Sequence, residues 1–304
     1  MYVAGYPETG LAVATRKPMR ALLVVNPAAG KRTAGPDDLE KAVALLREAD
    51  FMIEQVETTQ ELGSAELARR AIREKFDVCI VAGGDGTVAP AAAVLMDTAV
   101  VLGILPFGSF MNIANGLGIP LVPLDAARVI ARRSVHRADV GEVNGALFFE
   151  TAGVGLDAEL FGAARHAERG SWRRALRRVW RYMRHGTHRV SITVGDKTHA
   201  HRVMQILIVN SPYYAWALPL LPEASMEDGL LDVAVFPRMG RLALLRSLVT
   251  VMRRRRLPQK PVRYRGARLK IESAVPLSIH ADGVSAGALP SEFNCRAGAL
   301  RVFA

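Results

Sequence analysis

Over about its first 135 residues the chain alternates apolar runs with helical spacing, and this restricts its architecture more than any other feature. RALLVV (20–25), FMIEQVET (51–58), DVCIVA (77–82) and VVLGILP (100–106) read as strands. Between them DDLEKAVALLREAD (37–50) places Leu39, Val43, Leu46 and Ala49 three to four residues apart, a helical period. SAELARRAIREKF (64–76) reads as a second helix with Ser64 as its cap. A helix at about 90–96, another beginning at 111–117 and LDAARVIARR (124–133) complete the series. Alternation of this kind gives parallel βαβ units in an open α/β sheet.

From 136 on the pattern becomes short apolar runs with a period of two. ALFFETA (146–152), HRVSITV (188–194), RVMQILIVN (202–210), LLDVAVF (230–236), ARLKIES (267–273) and PLSIHAD (276–282) read as antiparallel strands of a sandwich or barrel. Helices are expected near 158–185 and 240–254. The reading is therefore an α/β chain of two domains, 19–135 and 136–304. The closing ALRVFA is free to return to the first domain.

Half of the residues are hydrophobic and 23% are charged, enough to bury a sizeable core. The longest apolar run, 203–222, is broken by Asn210, Ser211 and Pro212, so no membrane span is expected. The N-terminus lacks a basic segment leading into an apolar one, so no secretory signal is read. Cys79 and Cys295 form no metal or disulfide spacing and are expected as buried thiols in a reducing cytoplasm. The net charge of +11 implies an anionic partner. Nine arginines and no lysine fall within 165–189, and Arg253 to Arg256 form a second cluster. Trp172, Leu176, Val179 and Met183 make one helical stripe among those arginines. Such a helix either lies on an anionic membrane surface or packs its stripe on the protein. No nucleic-acid motif accompanies the charge, so no nucleic-acid partner is expected.

DVCIVA runs into Gly83, Gly84, Asp85, Gly86 and Thr87. A glycine turn between a parallel strand and a helix brings free N–H groups and the helix dipole to a phosphate. An acid beside that loop repels phosphate unless a divalent cation intervenes, which hints at nucleotide with magnesium. A tight turn with a solvated aspartate explains the same residues. No Walker loop occurs. AGVGLDA (152–158) has dinucleotide spacing, but the ribose-binding acid expected about 20 residues on is replaced by arginines.

GGDGT (83–87), with NPAAGK (26–31) before it, resembles the diacylglycerol kinase catalytic family, the bacterial lipid kinase group related to sphingosine and ceramide kinases. LGILPFGSFMNIANGLGIP (102–120), ADVGEVNGALFFETAGVGLDA (138–158), VN (209–210) and PEASMEDGLLDV (222–233) are similar to further family motifs, in order along nearly the whole chain. The resemblance implies an α/β nucleotide domain, a β-rich domain and a site in the cleft between them. It implies ATP-dependent phosphorylation of a lipid hydroxyl on a cytoplasmic membrane face. By matching position Asn26, Gly30, Thr59, Gly83, Gly84, Asp85, Gly86, Thr87 and Ser109 would contact ATP. Asp228, with the main-chain oxygens of Ser225 and Leu230, would hold Mg2+. A homodimer is left open.

The chain departs from that family in LPFGSFMNIA, where Ser109 replaces the usual Thr but keeps the hydroxyl and Met111, followed by Asn112, stands where Asn is common, and at two further places. After GGDGT come Val88, Ala89 and Pro90 where an apolar residue, Asn and Glu are usual. Pro90 is read as harmless in a first helical turn. In the family's D-G-E the Glu is a proposed general base; here stand Asp282, Gly283 and Val284. General-base catalysis contributes roughly 10²–10⁴-fold, about 3–5 kcal/mol of barrier. Asp282 is the candidate substitute, beside Asp85, and a non-catalytic lipid- or nucleotide-binding relative is the alternative. An NAD kinase-like enzyme is a further rival. GVSAG (283–287) formally fits a hydrolase elbow, but Pro290 follows and no histidine comes after Ser285.

Overall fold

A computed structural model describes residues 17–29, 36–109, 111–155, 187–214, 218–219, 221–237 and 261–304. Gly30, the expected helices at 158–185 and 240–254, nearly all of the arginine-rich segment and Arg253 to Arg256 lie outside the described residues.

The first half winds as β1 (Met19–Val25), α1 (Pro36–Glu48), β2 (Phe51–Glu57), α2 (Ser64–Arg73), β3 (Val78–Gly83), α3 (Asp85–Leu95), β4 (Val101–Pro106), α4 (Asn112–Gly116) and α5 (Pro123–Arg132). The four strands are parallel in the order β2-β1-β3-β4. β1, β3 and β4 are almost wholly apolar because helices cover both of their faces. The connection from β1 runs one way along the sheet and the connection from β3 the other. The order therefore reverses between β1 and β3, and their carboxyl ends frame a crevice.

The second half holds β5 (Val135–Val143), β6 (Ala146–Phe148), β7 (Thr151–Gly155), β8 (His188–Val194), β9 (Lys197–Val209), β10 (Tyr213–Tyr214), β11 (Leu218–Pro219), β12 (Leu231–Pro237), β13 (Val262–Gly266), β14 (Arg268–Ser273), β15 (Ser278–Ala281), β16 (Val284–Ala288) and β17 (Ser291–Phe303). Its pairings are antiparallel. β17 pairs along β5 and meets β4 in parallel at Val302 and Leu102, joining both halves in one sheet of 15 strands.

Four local expectations need correction. The N-cap of α2 is Gly63, and Ser64 is its first, buried residue, with no side-chain cap bond. α3 starts at Asp85 rather than near 90, so Pro90 sits in the second turn. Having no N–H, Pro90 leaves the Gly86 carbonyl without its i+4 donor. Cys79 is buried but Cys295 is half-exposed; both are free thiols. The run 146–152 is two strands, not one. Phe148 belongs to the core of the β-rich half and Phe149 to the core under the parallel sheet. With adjacent rings claimed by different cores, the chain turns at Phe149 and Glu150.

Candidate active site

The carboxyl ends of β1 to β4 carry the four loops on which the sequence placed nucleotide contacts. Two of them, after β1 and β3, are tied by a side-chain bond. Asn26 Nδ2 donates to Thr87 Oγ1 (2.9 Å), and Asn26 Oδ1 accepts the Ala28 N–H (3.0 Å). Thr87 in turn folds back on Gly83, where a Cβ would lie 2.7 Å from the threonine Cβ. After β4, Gly108 packs against Gly84. A Cβ on Gly108 would fall 2.5 Å from the Gly84 Cα, a contact only glycine permits. Ser109 and Gly86 are exposed next to this contact. Thr59 is exposed as well, and its hydroxyl closes its own turn by accepting the Leu62 N–H (3.0 Å).

Asp85 is engaged by the start of α4. Its Oδ2 accepts the Asn112 N–H (3.0 Å) and its Oδ1 the Ile113 N–H (3.1 Å), so it caps α4. Met111, left-handed at φ 51° and buried, delivers the chain into that cap. Burial raises the Asp85 carboxyl above its ordinary value, and the α4 N–H groups oppose the rise.

Across the cleft, Asp282 and Gly283 form a two-residue hairpin turn between β15 and β16, both with positive φ. An Asp-Gly pair suits such a turn because both positions must be left-handed. The turn aims the Asp282 carboxylate at the bend between β6 and β7. Its Oδ2 accepts the Phe149 N–H (2.6 Å), and its Oδ1 those of Glu150 (3.1 Å) and Thr151 (2.9 Å). Val284 follows on β16, 64% exposed and without a polar atom on its side chain.

Sequence reasoning missed Glu150. Its Oε2 accepts from Asn112 Nδ2 (2.8 Å), so it meets the residue whose backbone Asp85 caps. Its main-chain oxygen accepts the N–H groups of Asn210 (2.9 Å) and Ser211 (3.2 Å) at the end of β9. Burial and then the charges of Asp282 and Asp85 push the Glu150 carboxyl up to about 8. Burial raises Asp282 to about 6, against the pull of three N–H donors that favour its anion. The signal was present: Glu150 is the one ionisable side chain in the apolar run 146–152.

Asp139 is a second missed residue. It is buried on β5, accepts the Gly298 N–H on Oδ1 (2.7 Å) and the Gly229 N–H on Oδ2 (2.6 Å), and so fixes the turn before β12. That turn bears Ser225, Asp228 and Leu230. Asp228 Oδ1 accepts the Leu230 N–H (3.0 Å) and its Oδ2 pairs with Arg265, while Ser225 Oγ accepts the Glu227 N–H (3.1 Å). Among the described residues no three Asp, Glu, His or Cys are grouped to hold an ion. Magnesium needs carboxylate and water oxygens in octahedral array. A magnesium ion on the Asp228 turn would share that carboxylate with the Arg265 guanidinium and the Leu230 N–H.

Residues 20–143 match the model of the diacylglycerol kinase catalytic domain, and 151–304 that of the YegS C-terminal NAD kinase β-sandwich-like domain. The chain is 26% identical over 281 residues to a diacylglycerol kinase of Bacillus subtilis (strain 168), covering 90% of this chain and 92% of that one. It is 29% identical over 293 residues to a probable lipid kinase YegS-like of Xanthomonas campestris pv. campestris (strain 8004), covering 90% and 93%. Among solved structures, a putative diacylglycerol kinase from Bacillus anthracis str. Sterne superposes with a TM-score of 0.71 at 25% identity, covering 95% of this chain and 98% of that one.

Proposed function

We propose that this chain, which belongs to the bacterial lipid kinase family defined by a diacylglycerol kinase catalytic domain joined to a YegS-type C-terminal domain, transfers the γ-phosphate of ATP to a hydroxyl of diacylglycerol or a related lipid. The observation that carries the proposal is the gathering of the Asn26, Gly83–Thr87 and Gly108 loops at the carboxyl ends of β1, β3 and β4. Phosphoryl transfer asks a protein mainly to position the phosphates and offset their charge. Glycine turns at strand ends and a helix N-terminus meet the first demand. ATP is the donor by family. Magnesium enters as the counter-ion of the nucleotide.

The acceptor is assigned to lipid because the relatives are named diacylglycerol kinase and lipid kinase. No helix among the described residues is long and apolar enough to cross a membrane. In this proposal the protein meets its substrate from the surface, through its net charge of +11 and the segment Arg165–Arg189.

The test is transfer of labelled phosphate from Mg-ATP to anionic vesicles carrying diacylglycerol, a sphingoid base or phosphatidylglycerol, with free NAD as the soluble competitor. Transfer to a lipid is the expected result. Vesicle and nucleotide binding without transfer would make the chain a non-catalytic relative, and transfer to NAD alone would make it a soluble-substrate kinase.

A further inference from the structure

We infer that Glu150 is the general base of the phosphoryl transfer, taking the place left open by the aliphatic Val284. This inference rests on the kinase reading above. Its geometry is a relay of short contacts across the cleft. Asp85, on the phosphate loop, caps α4. The first residue of α4, Asn112, donates its amide to Glu150 Oε2. The main-chain N–H of Glu150 is held by Asp282. One carboxylate oxygen is thus fixed by a neutral amide, whereas Oε1 has no partner among the described residues. The side chain is half-buried, so it is oriented yet not sealed from solvent. Asp282 lacks that freedom. Both of its oxygens accept main-chain N–H groups, three in all, and its role is to hold the bend that presents Glu150.

The charges around Glu150 poise it for proton transfer. Facing it are Asp282 from the β15–β16 turn, Asp85 from α3 and the Asn112 amide from α4, while the N–H groups of Asn210 and Ser211, just after β9, hold its main-chain oxygen. His280 stands behind Asp282 and favours the aspartate anion. Asp282, with three donors, ionises first. Glu150, facing that anion and having a single neutral donor, keeps its proton longer. A base works best when its ionisation lies near the operating pH. Protonated Glu150 also reduces the negative charge that an incoming nucleotide meets.

In the transfer, the lipid hydroxyl oxygen forms a bond to the γ-phosphorus as the bond from that phosphorus to the β–γ bridging oxygen breaks. ADP leaves with the bond pair. The hydroxyl proton passes to Glu150 Oε1, and the resulting carboxylic acid returns it to solvent.

The test is Glu150→Gln with Glu150→Asp beside it, in the vesicle assay with the full chain. Glutamine keeps an oxygen to accept from Asn112, so the fold and the KM for ATP are expected to stay. kcat is expected to fall by roughly 10²–10⁴-fold, with partial recovery in Glu150→Asp. Wild-type kcat is expected to rise about tenfold between pH 7 and pH 9 as the base ionises, and Glu150→Gln to lose that rise. The carboxylic-acid infrared band of Glu150, assigned by its absence in Glu150→Gln, is expected to persist at pH 7, a readout independent of turnover. If wild type transfers phosphate and Glu150→Gln does so within threefold and with the same pH profile, the inference is overturned while the kinase reading stands. If wild type binds nucleotide and vesicles but transfers nothing, the kinase reading falls and this inference with it.

Discussion

Gly108→Ala is the most direct probe of the nucleotide cradle. The added methyl would sit 2.5 Å from the Gly84 Cα and 2.8 Å from the Met111 Sδ. Carbon atoms in contact prefer about 3.5–4.0 Å, so the two loops must part by roughly 1 Å. Overpacking on this scale costs about 1–3 kcal/mol. Removing a glycine stiffens the unfolded chain and returns about 0.4–1 kcal/mol. The expected net loss is therefore about 1–2 kcal/mol, read as a lower urea midpoint with an unchanged slope. The functional effect should be larger, because a displacement of about 1 Å at a reacting centre costs on the order of 10²-fold. Phosphate transfer should fall accordingly, with a weaker nucleotide affinity by titration. Gly86→Ala is the control: its Cβ would have nothing within 4 Å, and in a helix it should raise stability by up to about 1 kcal/mol. A Gly108→Ala protein with wild-type stability and nucleotide affinity would refute the contact between these loops.

Two further substitutions examine the ties on either side of the cleft. Asn26→Ala should cost about 0.5–1.5 kcal/mol by urea unfolding, because it removes the bond to Thr87 Oγ1, and should weaken nucleotide binding. Unaltered binding would detach the β1 loop from the site. Asp139→Asn turns an amide N–H toward the N–H of Gly229 or Gly298, at a cost of about 1–3 kcal/mol. A melting temperature equal to wild type would show that Asp139 does not fix the turn at Gly229.

The candidate site divides along the same line as the fold in what could be read directly. The phosphate loop was legible because Gly83, Gly84, Gly86 and Thr87 lie together at the end of an apolar strand. The departure at Val284 was legible too, because it stands in a short motif. Glu150 was not: its neighbours in sequence are Phe149 and Thr151, whereas its chemical neighbours Asn112, Asp282 and Asp85 are 38, 132 and 65 positions away. Pro90 failed for a local reason. The sequence marks Asp85 as a loop residue because it is charged and flanked by glycines, but α3 begins there, one turn earlier than apolar spacing suggests.

Local pattern settled what local physics controls. Alternation of strand and helix set the parallel first half, and period-two runs set the antiparallel second half, because backbone hydrogen bonding and one-sided burial act over a few residues. Two-residue turns such as Asp282–Gly283 belong to the same class, since the demand for positive φ selects the residue types. The tertiary structure alone decided which carboxylates meet. Burial and mutual repulsion set their protonation, and both depend on the approach of α4 and of the β15–β16 turn to the bend at Phe149–Glu150, where adjacent rings enter different cores. Ionisation at this site is a property of the assembled cleft rather than of any segment that builds it.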